Sequence, residues 1–320
     1  SCSICFPGPV LAVRTHRSLP PRLHWRLLQF SVQINVDPAS SVPCDAAVRN
    51  STCNSLQAVL SAVAEASGFA GDDCIAVQLL PGTHTVTQSV TITQNLVLWG
   101  SSSAATAPPP SPSSSPNDAT TTGQLPGTTP EMNNYDTKIV FNSSCDSFDA
   151  PFYVLSFVGG AWLSMATLEL TGSPGGIEIV NVTNVQITNC SFSWFTQGAV
   201  DVYNSRSVAI ANCHFFHNGP VGVVKTNELR GHAAGLSLGY SITADEEENL
   251  TAIVESCVFY NNSALLADSS TSEALNDRVF PGRGGGLAVL VDSVTTVTVD
   301  VINCSFFNNF ATEFGGGAFT

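Results

Sequence analysis

The second half of the chain repeats a short motif, and this repeat constrains the fold more than any other sequence feature. Four segments align on a Cys-x-Phe core: Cys190/Phe192, Cys213/Phe215, Cys257/Phe259 and Cys304/Phe306. The cysteines are separated by 23, 44 and 47 residues, which we interpret as one, two and two turns of a unit of 22–23 residues. A unit of this length cannot bury its own core, so the units are expected to stack as a solenoid.

The phase of the apolar residues indicates a bend inside each unit. Val185 and Ile187 are odd-numbered, whereas Cys190 and Phe192 are even-numbered. Since strand side chains alternate between two faces, both pairs can face one core only if the chain bends between them. The residue before each cysteine is Asn189, Asn212, Ser256 or Asn303. Asparagine tolerates the left-handed conformation that a sharp bend requires, so each unit is predicted to be strand, bend, strand and turn.

The N-terminal region carries one helical pattern, followed by extended patterns. Leu56, Val59, Leu60 and Val63 form an apolar stripe, which predicts a helix over residues 55–66. Alternating or continuous apolar runs predict strands within 75–86, 90–92, 96–100 and 138–141. We therefore expect an all-β parallel β-helix, of eight or nine turns, with an α-helix capping its N-terminal end.

The chain divides into a leader and one repeat domain. Residues 1–36 contain four arginines and no carboxylate, and we assign them to an unstructured or non-domain leader. Residues 37–320 form the β-helix domain, with a Pro/Ser-rich loop at 101–131 and a loop insertion at 268–283. Because the sequence stops inside a repeat, we expect it to be a fragment, truncated at the C-terminal end of the solenoid.

The composition excludes several classes of protein. Only 11% of the residues are charged, against roughly 25% in a typical domain, which argues against a disordered chain. The net charge of −14 argues against a nucleic-acid partner, because such proteins need clustered positive charge. No apolar stretch approaches the ~20 residues of a membrane-spanning helix, so no membrane span is expected in these residues.

Further motifs resemble two groups of known β-helices. Phe-x-x-Asn occurs at 215–218, 259–262 and 306–309, and Gly-Gly-Ala-aromatic occurs at 159–162 and 316–319. Together they resemble the repeats of the polymorphic outer-membrane protein family, which are passenger domains of bacterial surface adhesins. The helix followed by residues 79–83 and 96–100 resembles the N-terminal entry of the pectin-lyase-like superfamily. The resemblance implies a right-handed β-helix, a fold that carries both catalytic and non-catalytic functions.

The ten cysteines have different predicted roles. The four in the Cys-x-Phe motifs are expected to be unpaired core residues, because a buried thiol behaves as a small hydrophobic group. Cys44, Cys53 and Cys74 flank the helix and can supply one disulfide, whereas Cys145 has no evident partner. No cysteine or histidine spacing predicts a zinc site.

Several Asn-x-Ser/Thr sequons predict a secreted glycoprotein. Possible N-glycosylation sites are Asn50, Asn142, Asn181, Asn249 and Asn261. Two more, Asn189 and Asn303, owe their sequons to the bend motif. We therefore expect an extracellular or cell-surface location, with an anchor, if any, outside this segment.

The catalytic motifs of pectin hydrolases are absent from the sequence, and one acidic pair remains as an alternative site. Glu178 and Asp201 are 23 residues apart and lie between core-facing residues, so we expect them on adjacent strands, facing solvent. Two neighbouring carboxylates can bind calcium or share a proton. In this hypothesis Trp162 lies one turn earlier as a sugar platform, and the next turn offers Val224 or Lys225.

These patterns favour a non-catalytic scaffold or adhesion module that binds glycans or cell-surface proteins. The residues Trp194 and Phe195 replace the expected asparagine of the first repeat and predict an exposed apolar patch for a partner. The first alternative is a calcium-dependent lyase or hydrolase that acts on acidic polysaccharide through Glu178 and Asp201. The second is the ectodomain of a larger membrane receptor. No other cofactor is predicted.

Overall fold

The computed structural model describes part of the chain in detail. The described residues are 12–13, 30–42, 52–65, 74–101, 135–142, 153–173, 175–196, 198–219, 233–240, 250–264, 284–291, 297–311 and 315–319. The predicted loops at 101–131 and 268–283 lie outside them, except for residue 101.

The chain winds into a solenoid whose strands form three faces. The first face contains β6 (Val90–Ile92), β9 (Leu155–Val158), β11 (Ile177–Val180), β13 (Val200–Tyr203), β16 (Leu236–Tyr240), β20 (Leu287–Val291) and β24 (Ala318–Phe319). The second contains β2 (Phe30–Val36), β4 (Cys74–Leu79), β7 (Asn95–Gly100), β10 (Trp162–Ser173), β12 (Asn184–Ser193), β14 (Ser207–Ala211), β17 (Leu250–Glu255) and β21 (Val297–Ile302). These eight strands agree with the predicted eight or nine turns.

The third face contains the C-terminal parts of β10 and β12, which continue past a bend from the second face. It also contains β5 (Gly82–Val86), β8 (Thr137–Asn142), β15 (His214–Phe216), β18 (Val258–Tyr260) and β22 (Ser305–Phe307). Four short strands complete the structure: β1 (Ala12–Val13), β3 (Thr52–Cys53), β19 (Ser263–Ala264) and β23 (Phe310–Ala311). All the strand pairs are parallel.

The strand register corrects the predicted number of turns between the cysteines. Phe215 pairs directly with Phe259, and Phe259 pairs directly with Phe306. The spacings of 44 and 47 residues therefore each correspond to one coil and not to two. In the sequence, the extra residues fall between described strands of one coil, such as β15 and β16 or β18 and β20.

The predicted bend between the second and third faces is confirmed. Asn189, Asn212, Ser256 and Asn303 have φ angles of 50°, 54°, 53° and 52°, in the left-handed region. The corner that ends the third face uses the same conformation at Trp194, His217, Asn261 and Asn308. Asparagine is favoured at such positions because its short polar side chain tolerates a positive φ.

The interior consists of ladders of equivalent side chains. The rings of Phe192, Phe215, Phe259 and Phe306 stack in order, with centroids 5.0, 4.9 and 4.7 Å apart. Beside them, Cys190, Cys213 and Cys257 are fully buried, whereas Cys304 is partly buried. All four cysteines carry free thiols. Each coil therefore buries its apolar side chains against the equivalent residues of its neighbours.

A polar ladder runs parallel to the phenylalanines. Nδ2 of Asn218 donates to Oδ1 of Asn262 at 3.0 Å, and Nδ2 of Asn262 donates to Oδ1 of Asn309 at 2.9 Å. Each of these Nδ2 groups also donates to a phenylalanine carbonyl of the preceding coil, such as that of Phe215 at 2.8 Å. These bonds satisfy buried polar groups that would otherwise destabilise the interior.

The N-terminal end is closed by the predicted helix. Helix α1 spans Leu56–Glu65, and its buried residues are the predicted stripe. The β-structure begins earlier than the expected boundary at residue 36, because Phe30–Val36 pairs with Cys74–Leu79 as the next strand of the second face. The two-residue strand β1 pairs with β21 at the other end of that face. No helix among the described residues is long and apolar enough to cross a membrane.

Candidate functional site

The acidic pair lies on adjacent strands of the first face. Glu178 of β11 pairs in register with Asp201 of β13, which places them one coil apart. The expectation that they face solvent is wrong, because they are only 8% and 6% exposed. Their side chains point away from the apolar core, but other parts of the protein cover them. Two carboxylates in this setting are held within the structure and not presented on an open surface.

Hydroxyl groups surround the acidic pair. Ser156 Oγ donates to Glu178 Oε2 at 2.9 Å, and the buried Tyr153 hydroxyl donates to Asp201 Oδ2 at 3.3 Å. The register continues to Ser237, so the predicted neighbours Val224 and Lys225 do not occupy the next coil. Each carboxylate therefore accepts a hydrogen bond from a hydroxyl group of a residue in or beside β9.

The structure does not place the other predicted residues of the calcium hypothesis beside Glu178 and Asp201. The position one coil before Glu178 belongs to Ser156, whereas Trp162 begins β10 on the second face and pairs with Asn184. The predicted sugar platform beside the acidic pair is therefore wrong. Within the described ranges, no three His, Cys, Asp or Glu side chains form a group that could hold a metal ion.

An exposed apolar patch was predicted at Trp194 and Phe195, but only one of the two side chains is exposed. Trp194 is 59% exposed at the corner that ends the third face, as expected for a contact residue. Phe195 is fully buried, which corrects the prediction that both are exposed. Its ring lies 5.7 Å from that of Phe141, and its backbone N–H donates to Oδ1 of Asn218 at 3.2 Å. Phe195 therefore belongs to the interior, at the end of the asparagine ladder.

Trp194 is part of a larger aromatic surface. Its ring stacks on that of His217, with centroids 4.6 Å apart and planes 13° apart. His217 in turn makes edge contacts with the rings of Phe216 and Tyr260, both at 5.7 Å. Phe307, which is 49% exposed, pairs in register with Tyr260. We name Trp194, Phe216, His217, Tyr260 and Phe307 the aromatic strip.

The strip follows from strand alternation, although the sequence analysis missed it. The residue after each ladder phenylalanine faces the opposite side of the strand. Ser193 follows Phe192, and in the next three coils these residues are Phe216, Tyr260 and Phe307. The signal was therefore present as Cys-x-Phe followed by a second aromatic residue.

The strands of the strip lack acidic residues, lysine and arginine, although the protein as a whole is acidic. Strands β15, β18 and β22 contain no Asp, Glu, Lys or Arg, and neither does the corner that follows them. The nearest described ion pair on this face joins Lys138 Nζ to Glu169 Oε1 at 2.7 Å, toward the N-terminal end. Burial lowers the pKa of His214, which precedes Phe215 in β15, so this imidazole is neutral at neutral pH. The surface therefore offers aromatic rings and neutral polar groups.

The cysteines and sequons have distinct surroundings. Cys53 forms a disulfide, whereas Cys74 carries a free thiol, which excludes Cys74 as its partner. Burial raises the pKa of Cys74 to about 11 and raises that of Cys213 as well. These thiols therefore remain protonated and weakly nucleophilic at neutral pH.

The described sequon asparagines lie at strand ends and corners. Asn142 and Asn181 are exposed, and Asn261 is half-buried at the corner between His217 and Asn308. Asn189 and Asn303 are exposed at the bend. Asn50 and Asn249, together with Cys44 and Cys145, lie outside the described residues.

A match to a protein family supports the architecture. Residues 160–318 match a family described as a right-handed beta helix region. No curated protein gives a significant match. The solved structure of ORF18 of Geobacillus virus E2 aligns with 81% of this chain at 13% identity and a TM-score of 0.32. This chain spans 55% of the length of that one, and the similarity is too low to support an argument about function.

The family match adds the handedness to the parallel pairing seen in the structure. The resemblance to polymorphic outer-membrane proteins and to the pectin-lyase-like superfamily stays a prediction. The predicted fold class is confirmed: the chain folds as an all-β, right-handed parallel β-helix with an N-terminal α-helix.

Proposed function

We propose that the protein is a non-catalytic scaffold or adhesion module that binds a glycan or a protein at the cell surface or outside the cell. The observation that carries this proposal is the aromatic strip, which presents neighbouring rings on the outside of successive coils. Exposed aromatic side chains grouped in this way are typical of binding surfaces, where large rigid rings bury much area on contact.

Two further observations support the extracellular location. Cys53 forms a disulfide, and disulfides persist mainly in oxidising compartments. Sequon asparagines at Asn142 and Asn181 are exposed and accessible to a glycan. The sequence resemblance to bacterial surface adhesins agrees with the same assignment.

The burial of Glu178 and Asp201 favours the scaffold over the polysaccharide lyase or hydrolase. A catalytic carboxylate must reach a proton of the substrate. These two are covered and accept hydrogen bonds from Ser156 and Tyr153. Their role in the proposal is to accept hydrogen bonds from Ser156, which lies on β9 of the first face, and from Tyr153, which lies just before it.

A turnover assay tests the proposal. The full chain is incubated with polygalacturonate, alginate and other acidic polysaccharides, with and without calcium, and unsaturated and reducing ends are measured. We expect no turnover. Turnover that disappears in both Glu178→Ala and Asp201→Ala, and persists in the exposed control Tyr203→Ala, would establish an enzyme and contradict the scaffold proposal.

A further inference from the structure

We infer that the aromatic strip is a binding site for an uncharged, extended polysaccharide that lies along the axis of the β-helix. This inference deepens the proposed function and rests on it. It names the ligand class and the residues that hold the ligand, and four features of the strip support it.

The first feature is the direction of the strip. Phe216, Tyr260 and Phe307 are register partners on three consecutive strands, so their rings follow the helix axis. Neighbouring parallel strands lie about 4.8 Å apart. That distance is close to the length of one pyranose unit in an extended β-linked glycan. A glycan parallel to the axis can therefore meet one aromatic side chain with each successive sugar.

The second feature is the chemistry of the rings. The C–H groups on the faces of a pyranose are slightly positive, and the face of an aromatic ring is negative. Trp194 offers the largest exposed ring and is held parallel to His217 by stacking. The edge contacts of His217 with Phe216 and Tyr260 hold those two rings in place. The surface is therefore ordered before the ligand arrives, which lowers the entropy cost of binding.

The third feature is the supply of neutral hydrogen-bonding groups beside the rings. Asn261 and Asn308 occupy the same corner row as Trp194 and His217. Ser305 and the Tyr260 hydroxyl lie on the outward-facing side of the same strands. Amides and hydroxyls suit the hydroxyl groups of a sugar. No Asp, Glu, Lys or Arg is available on these strands to pair with an acidic or basic ligand.

The fourth feature is the shape of the strip, which favours a polymer over a globular protein. A stable protein interface uses roughly 20–30 residues from each partner. The strip has five side chains in two neighbouring rows, with Phe310 exposed just beyond the corner. A surface that is narrow across the strands and long along the axis matches a linear chain.

Binding to neutral oligosaccharides tests the inference. The full chain, produced without N-glycosylation so that no glycan on Asn261 covers the strip, is titrated with cellohexaose, laminarihexaose and mannohexaose by calorimetry. Hexagalacturonate serves as the acidic comparison. We expect saturable binding to at least one neutral hexaose. Trp194→Ala and Phe307→Ala should each weaken it about tenfold, whereas Trp194→Phe should retain most of it.

The matched control is Tyr203→Ala, which removes an exposed ring from the first face. Binding should be unchanged in this variant. Absence of binding to all three neutral hexaoses would overturn the inference, as would binding restricted to hexagalacturonate. Equal binding by wild type and Trp194→Ala would also overturn it, because the ligand would then lie elsewhere. None of these results produces turnover, so the inference can fail while the scaffold proposal stands.

Discussion

The inward and outward aromatic rows of the third face occupy the same strands but have different surroundings. Phe215 is fully buried between Phe192 and Phe259, with its ring nearly parallel to both. Phe216, the next residue, faces outward and touches His217. One strand can therefore stabilise the solenoid with its inward side chains while its outward side chains are free to form a binding surface.

The two rows also differ in their extent along the axis. The inward row begins at His84 and continues through Ile139 and Leu170 to Phe192 and the later phenylalanines. Among the described residues, the outward aromatic row occupies only the C-terminal coils, since its register equivalents in β12 and β10 are Ser193 and Thr171. The inward row is buried in coil after coil, whereas the outward aromatic row is confined to the coils where we propose that a ligand binds.

Phe215→Ala should have the largest effect on stability. Removing a fully buried ring that stacks on two others is expected to lower the free energy of unfolding by about 3–5 kcal/mol. Phe216→Ala, on the same strand, should cost about 1 kcal/mol or less. Urea unfolding monitored by circular dichroism measures both. Equal losses would show that the two sides of the strand are not energetically distinct.

Asn262→Ala should have the next largest effect. The substitution leaves the backbone N–H of Asn218 and the carbonyl of Phe215 without their buried partners. The expected loss in the free energy of unfolding is about 1–3 kcal/mol. Asn261→Gly is the matched control, since glycine tolerates the φ of 51° at this corner. A larger loss in the control would place the stabilising role at the corner and not in the ladder.

The free energy of unfolding should depend on pH through His84, which lies at the N-terminal end of the inward row. The phenylalanines at the other end of the row do not titrate. Burial lowers the pKa of His84 below its usual value of 6.5. The unfolded chain therefore binds the proton more readily, and stability should fall as the pH drops through the unfolded pKa of about 6.5.

The effect is measured as the change in the urea midpoint between pH 7.5 and pH 5.5. The change should be larger in wild type than in His84→Leu, because only wild type must protonate a buried imidazole. Identical changes in the two proteins would mean that His84 does not titrate on unfolding in this range.

The smallest stability effects are expected on the outward row. Trp194→Ala and Phe307→Ala remove side chains that are about half or more exposed. Each should change the free energy of unfolding by about 0.5 kcal/mol or less. A loss of several kcal/mol in either variant would make the strip a structural element and would weaken its assignment as a binding surface.

Strand alternation and backbone conformation are local properties, and the sequence was sufficient to predict what depends on them. The odd-to-even shift between Ile187 and Cys190 predicted the bend, and the asparagine before the cysteine predicted its left-handed conformation. The apolar stripe of α1 predicted its buried face. Each of these features involves residues within one coil.

Features that depend on other coils required the tertiary structure. Insertions between Cys213 and Cys257 resemble an additional repeat in sequence, and only strand pairing shows that one coil separates them. The covering of Glu178 and Asp201 and the meeting of Trp194 with His217 likewise involve residues far apart in the chain. The repeat thus determined the solenoid, because its signals are local. Stacking decided how many coils separate the cysteines, the burial of the acidic pair and the aromatic strip, because each depends on residues that only folding brings together.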